Sequence, residues 1–218
     1  MATREQARGF IKDIAPIVQE VCKSRDKWIL PSVAIAQAAC ESNYGTSKAM
    51  AAANGLFGFK VGKGKKYGDG WKGKSYSTKT KEFYNGYVTI TDNFRAYDTV
   101  RDAVVDYMDL LCSLSRYKAA VNQTDAQKCI TAIKNGGYCT SPTYIATIMS
   151  IIRTHNLTQY DSVVTGKQQA TASASGTLYA AVAGFCNTVA ECQAFQKQLQ
   201  AAGMNTQVWE IKPVKFIQ

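Results

Sequence analysis

Two glutamates in this chain sit where their surroundings would drive protonation in opposite directions. Glu41 falls near the end of an apolar run, LPSVAIAQAACESNYG, that starts at Leu30. A carboxyl in the last turn of a mostly buried helix is disfavoured as an anion twice, by desolvation and by the negative end of the helix dipole. A carboxylic acid still protonated near neutral pH can act as a general acid. Glu82 falls in KTKEFYNGYV, beside Lys79 and Lys81 and just before Asn85-Gly86. Nearby positive charge favours its ionised form. A neutral acid and an ionised carboxylate suit a hydrolysis in which one group protonates a leaving oxygen and the other activates water or stabilises a developing cation. The plainer alternatives are an exposed helix-end Glu for residue 41 and a cross-strand salt bridge for residue 82.

Helices and one small β lobe must position these groups. Thr3 and Gln6 have capping-box spacing. Phe10, Ile11, Ile14, Ile17, Val18, Val21 and Cys22 recur at helical spacing, but Pro16 interrupts them, so two short helices are expected over 3–24. Pro31 opens the helix expected over 31–43, with Gly45 available as a left-handed cap. A short helix over 47–53 closes at Asn54-Gly55. Residues 61–73, rich in Gly and Lys, read as a mobile loop. Strands over 75–83 and 87–90 flank the hairpin signal Asn85-Gly86, and 94–97 reads as a third short strand. Asp98 or Thr99 caps the next helix, with Thr99 and Asp102 at capping-box spacing and the stripe Val100, Val104, Tyr107, Met108, Leu111 and Leu114. Thr124 and Gln127 repeat the capping-box spacing for a helix that ends at Asn135-Gly136-Gly137. Ser141-Pro142 starts the last helix of the domain, and His155 in its final turn reads as a partner for the helix dipole.

Composition bounds the rest. The 218 residues are 46% hydrophobic and 19% charged, enough for one medium domain with a full core plus an appendage. No apolar run approaches the ~20 residues of a membrane span. Seven cysteines and one histidine, without a Cys-x-x-Cys pair, fit reduced thiols rather than a disulfide framework or a zinc site. The formal net charge of +10 calls for an anionic partner. No nucleic-acid-binding motif accompanies the basic cluster at 60–81, and bacterial wall, with its peptide carboxylates and anionic polymers, is as good an electrostatic match.

Three motifs carry a family resemblance. Residues 37–47, QAACESNYGTS, followed by NGLFGFK at 54–60, resemble the active-site helix of glycoside hydrolase family 73, the peptidoglycan-cleaving N-acetylglucosaminidases of the lysozyme-like superfamily. KEFYNGYVTITDNFRAY resembles the family segment in which a Glu before a hairpin turn is the proposed second carboxylate. GGYCTSPTY at 136–144 is similar to the family's Gly-Tyr-Ala-Thr-Asp-Pro-x-Tyr. The chain departs from the family pattern at Gly55, usually Asn, at Cys40, usually aliphatic, and at Cys139 and Ser141, usually Ala and Asp.

The resemblance covers about residues 8–161 of the chain. It implies an α+β, lysozyme-like fold with a mostly helical lobe and a small β-hairpin lobe. It implies cleavage of the β-1,4 bond between N-acetylglucosamine and N-acetylmuramic acid, with neither metal nor cofactor. Glu41, Glu82 and Tyr138 are the implied catalytic residues. Ser42, Asn54, Phe57, Tyr97 and Tyr144 are the implied substrate contacts, although Tyr144 also has core spacing on its helix. A muramidase or lytic transglycosylase shares this fold and is the alternative, as is a non-catalytic wall-binding or virion protein.

The expected organisation is a catalytic domain over 1–161, a linker over 162–176 and a small β-α-β unit over 177–218 that resembles half of a SPOR-type wall-binding module. Wall binding, docking and dimerisation through that unit stay open. The N-terminus lacks the apolar core of a signal peptide, so synthesis in the cytoplasm and release by a holin or a virion, as for a phage endolysin, are expected. The expected partner is bacterial peptidoglycan, without nucleic acid or membrane insertion.

Overall fold

The computed structural model describes residues 2–83 and 87–166, with only the backbone described at 80–83 and 87–90. Helix α1, Arg4–Lys23, starts with the expected capping box: Gln6 donates its backbone N–H to Thr3 Oγ1 at 3.2 Å, and Thr3 N–H donates to Gln6 Oε1 at 2.8 Å. Pro16 does not divide it. Ile11, Ile14, Ala15, Val18, Val21 and Cys22 form one buried face across the proline. Pro16 and Lys12 both face solvent, where water can take the carbonyl that the ring leaves unpaired. Burial on the other face outweighs that loss, so the expected pair of helices is a single helix.

Helix α2, Pro31–Glu41, is the centre of the fold. Every residue from Pro31 to Ala39 is buried, and α1, α5 (Ala126–Asn135) and α6 (Tyr144–Thr154) pack against it. Both ends of α2 are tied. Pro31 occupies the first turn, and the N–H of Ser32 donates at 2.7 Å to Oδ1 of Asp161, which reaches in from the far end of the domain. At the other end Ser42 Oγ donates to the Ala38 carbonyl at 2.6 Å and accepts from Gly45 N–H at 2.8 Å. Asn43, Tyr44 and Gly45 are all left-handed, and a side chain at Gly45 would strike the ring of Phe10 at 2.8 Å.

Helix α3, Lys48–Ala53, is capped by Ser47 and closed by left-handed Asn54. Strands β1, Ser75–Phe83, and β2, Tyr87–Arg95, form an antiparallel hairpin from Ser75 opposite Arg95 to Phe83 opposite Tyr87. The turn expected at Asn85-Gly86 lies outside the described residues. The third strand expected at 94–97 is instead the start of the return: its first two residues complete β2, and Phe94 also bridges Lys60.

The Gly- and Lys-rich segment is pinned, contrary to the mobile loop expected. Arg95 is 4% exposed. Its guanidinium lies 4.4 Å from the Trp71 ring and 5.7 Å from the Tyr67 ring, donates to the Lys65 carbonyl at 2.8 Å, and meets both Asp106 oxygens at 2.7 and 2.8 Å. Gly70 lies so close to helix α4, Val100–Ser113, that a Cβ there would be 2.3 Å from the Asp106 nitrogen. One buried arginine therefore ties the loop, the base of the hairpin and α4 together.

Helix α4 starts at the expected Thr99–Asp102 box, but α5 is capped by Asp125 rather than Thr124. A 3-10 helix, Ser115–Ala120, joins α4 to α5, and α6 starts after Thr143 rather than at Ser141. Residues 162–166 are helical and Val164 is fully buried, so the folded domain continues past the expected linker start at 162. The rest of that linker and the unit at 177–218 lie outside the described residues. Among the described residues no helix is long and apolar enough to cross a membrane.

Candidate active site

Glu41 is the last residue of α2, and its carboxyl opens onto a groove of about 280 Å³. The groove is walled by Phe57, Phe59, Lys60, Arg116, Tyr138 and Cys139, among others. Residue 41 is reached by solvent, as a proton donor must be, yet protein crowds its carboxyl on the other sides. That burial raises its pKa above the ordinary glutamate value, against a smaller opposing effect from a hydrogen bond donated by Tyr144. Neighbouring Cys40 is pushed up to about 11, first by burial and then by the Glu41 charge.

Behind Glu41 runs a buried relay. Tyr107 donates its hydroxyl to Gln37 Oε1 at 2.6 Å, Gln37 donates from Nε2 to the Tyr144 hydroxyl at 2.9 Å, and Tyr144 donates to Glu41 Oε1 at 2.7 Å. Tyr107 and Gln37 are fully buried and Tyr144 is nearly so. Gln37 precedes Glu41 by four residues, so α2 presents both on one face. All the donors point toward the carboxyl. Tyr144 occupies Oε1, and Oε2 has no protein partner among the described residues.

The expected site residues divide into two groups. Tyr144 and Tyr138 gather at Glu41. Their rings stack at 6.0 Å, and Phe59 meets Tyr138 edge-on at 6.2 Å. The Tyr138 hydroxyl is buried and has no hydrogen-bond partner among the described residues, an unmet polar group at the groove wall. Phe57 also lines the groove, fixed by a stack on Tyr107 at 4.1 Å. Glu82 lies on β1, opposite Val88 and one position before the last described pair of the hairpin.

The other three are structural. Ser42 is fully buried and spends its hydroxyl on the turn after α2, so it does not face the groove. Asn54 caps α3 and donates to the carbonyls of Tyr97 and Asp98 at 3.0 and 3.2 Å. Tyr97 gives its hydroxyl to Asp106 Oδ2 at 2.7 Å, inside the cluster that holds the loop. His155 caps α6, shares a hydrogen bond of 3.2 Å with Tyr44, and has its pKa lowered by burial and then by Arg8. It is thus a poor cationic partner for the dipole. The residues that sequence reasoning missed are Gln37, Tyr107 and Arg116. For Gln37 a signal existed: it is the one carboxamide in a helix of mostly small and aliphatic residues, one turn before the acid.

Residues 15–157 match the family model described as glucosaminidase, mannosyl-glycoprotein endo-beta-N-acetylglucosaminidase. The chain is 33% identical over 141 residues to the exo-glucosaminidase LytG of Bacillus subtilis, covering 62% of this chain and 47% of LytG. It is also 33% identical over 168 residues to a probable N-acetylmuramidase of Lactococcus lactis, covering 73% of this chain and 36% of that protein. The crystal structure of the catalytic domain of the autolysin Auto from Listeria monocytogenes superposes with a TM-score of 0.61 at 33% identity, over 74% of this chain and 90% of that one. The chain spans about half the length, or less, of the curated relatives it matches.

Proposed function

This chain belongs to the glucosaminidase family, with the lysozyme-like fold expected of it, and we propose that it hydrolyses the β-1,4 bond between N-acetylglucosamine and N-acetylmuramic acid in bacterial peptidoglycan. The reading rests on Glu41: a carboxyl at the floor of a groove, with a raised pKa and one oxygen held by Tyr144. In this mechanism neutral Glu41 protonates the leaving oxygen from Oε2. Glu82, carried on the hairpin, supplies the second carboxylate, which activates water or supports the substrate's own acetamido group. The unpartnered Tyr138 hydroxyl takes a hydrogen bond from that group or from the attacking water. Action on the bacterial wall follows, and release as a phage endolysin fits this reading.

A muramidase is the second reading, favoured by the similarity to proteins named as probable N-acetylmuramidases. The two differ in the sugar left at the new reducing end. Purified sacculi digested by the protein and reduced with borohydride should give fragments ending in reduced N-acetylglucosamine by mass spectrometry. Reduced or anhydro muramic ends would assign the other bond and overturn the proposal.

A further inference from the structure

The groove at Glu41 shares one wall residue with a second groove. Arg116, exposed on the 3-10 helix Ser115–Ala120, lines both this groove and the second, of about 450 Å³. The second groove runs between that 3-10 helix and α5. Its walls include Gln123, Gln127, Lys128, Thr131 and Asn135: carboxamides, a hydroxyl and an ammonium, with no carboxylate.

The guanidinium at the junction is held in place but not neutralised. It lies 4.7 Å over the ring of Tyr117, which is 2% exposed and so gives it a fixed base. No Asp or Glu among the described residues pairs with it. Gly137, with φ of +84°, lines the Glu41 groove near the guanidinium: a Cβ built there would lie 4.0 Å from Arg116 Nη1. A substituent that runs from a sugar seated at Glu41 toward the second groove would meet Arg116, the wall residue the two grooves share. An unpaired, preorganised guanidinium selects a carboxylate there, and the carboxamides beyond it match a peptide backbone.

We propose that Arg116 and the groove along α5 bind the acidic stem peptide of the substrate, with the guanidinium taking a peptide carboxylate. The inference rests on peptidoglycan being the substrate, but its test does not read turnover. Two soluble ligands are titrated by calorimetry: the disaccharide carrying its stem peptide, and the same disaccharide with the lactyl carboxyl capped as an amide. The wild type should bind the peptide-bearing ligand about tenfold more tightly, as one charge-assisted contact allows. Arg116→Gln should remove most of that preference, and Lys128→Glu, an exposed substitution, should also reduce it. High salt should narrow it. Equal wild-type affinity for both ligands, or a preference kept intact by both variants, overturns the proposal. So does an equal loss on both ligands. A failed glycosidase assignment would show in the released ends while this difference in binding persisted.

Discussion

The hydroxyl of Tyr144 stands 2.7 Å from Oε1 of Glu41, although 103 positions separate the two in the chain. The contact sets the acid between two opposed influences. Burial pushes its pKa up, and the donated hydrogen bond pulls it down. The relay from Tyr107 through Gln37 orients that hydroxyl, so the helix core behind the site acts on the proton at its surface.

Tyr144→Phe removes the downward influence and leaves burial unopposed. The Glu41 pKa should rise further, so the basic limb of the kcat/KM profile, where the acid loses its proton, should move to higher pH. Positioning is lost as well, and kcat should fall by about tenfold. A pH–rate profile on soluble glycan strands checks both effects. An unmoved or lowered basic limb would show that Tyr144 does not tune Glu41.

Gln37→Leu strands the buried hydroxyl of Tyr107 and removes the donor to that of Tyr144, which keeps its bond to Glu41. The cost should be about 1–3 kcal/mol, the range for one unsatisfied buried group. Urea unfolding followed by circular dichroism measures it. A change below about 0.5 kcal/mol, the range of a surface substitution, would mean the relay contributes nothing to stability.

Asp161 ties the start of α2, and burial raises its pKa to about 6, against the lowering effect of the backbone N–H donated by Ser32. A carboxyl that holds its proton more tightly when folded gives its contribution in acid and loses it as pH rises. Stability of the wild type relative to Asp161→Asn should therefore fall between about pH 4 and pH 6 and stay flat above. Urea midpoints measured across that window should show the slope, and a constant difference would contradict it.

Asp106→Ala leaves the Arg95 charge buried without its carboxylate. Removal of one partner from a buried pair costs about 3–5 kcal/mol, well above the effect of a surface pair. Amide exchange over residues 61–74 should quicken as well, because Arg95 is what holds that loop. Unchanged stability and exchange would mean that the aromatic rings alone secure it.

Much of this arrangement was legible beforehand because it is local. The capping boxes at Thr3 and Thr99, Pro31 at the start of α2 and the hairpin pairing all depend on residues a few positions apart. Pro16 misled because its cost depends on which face of the helix it occupies, which only packing decides. The loop at 61–73 looked free because its anchor, Arg95, comes more than twenty residues later. Ser42, Asn54 and Tyr97 lie within or beside motifs that resemble an active site, but they serve that site by holding its frame. The relay joins α2, α4 and α6, and no spacing rule connects positions that far apart.

Proton donation by Glu41 is tested by removing its acidic proton. Turbidity of a sacculus suspension should be followed with wild type and Glu41→Gln, after thermal melts have shown both to be folded. The wild type should clear the suspension, and the variant should do so at a rate at least about 100-fold lower, the loss expected when a general acid is removed. A variant that clears the suspension at the wild-type rate would contradict that assignment.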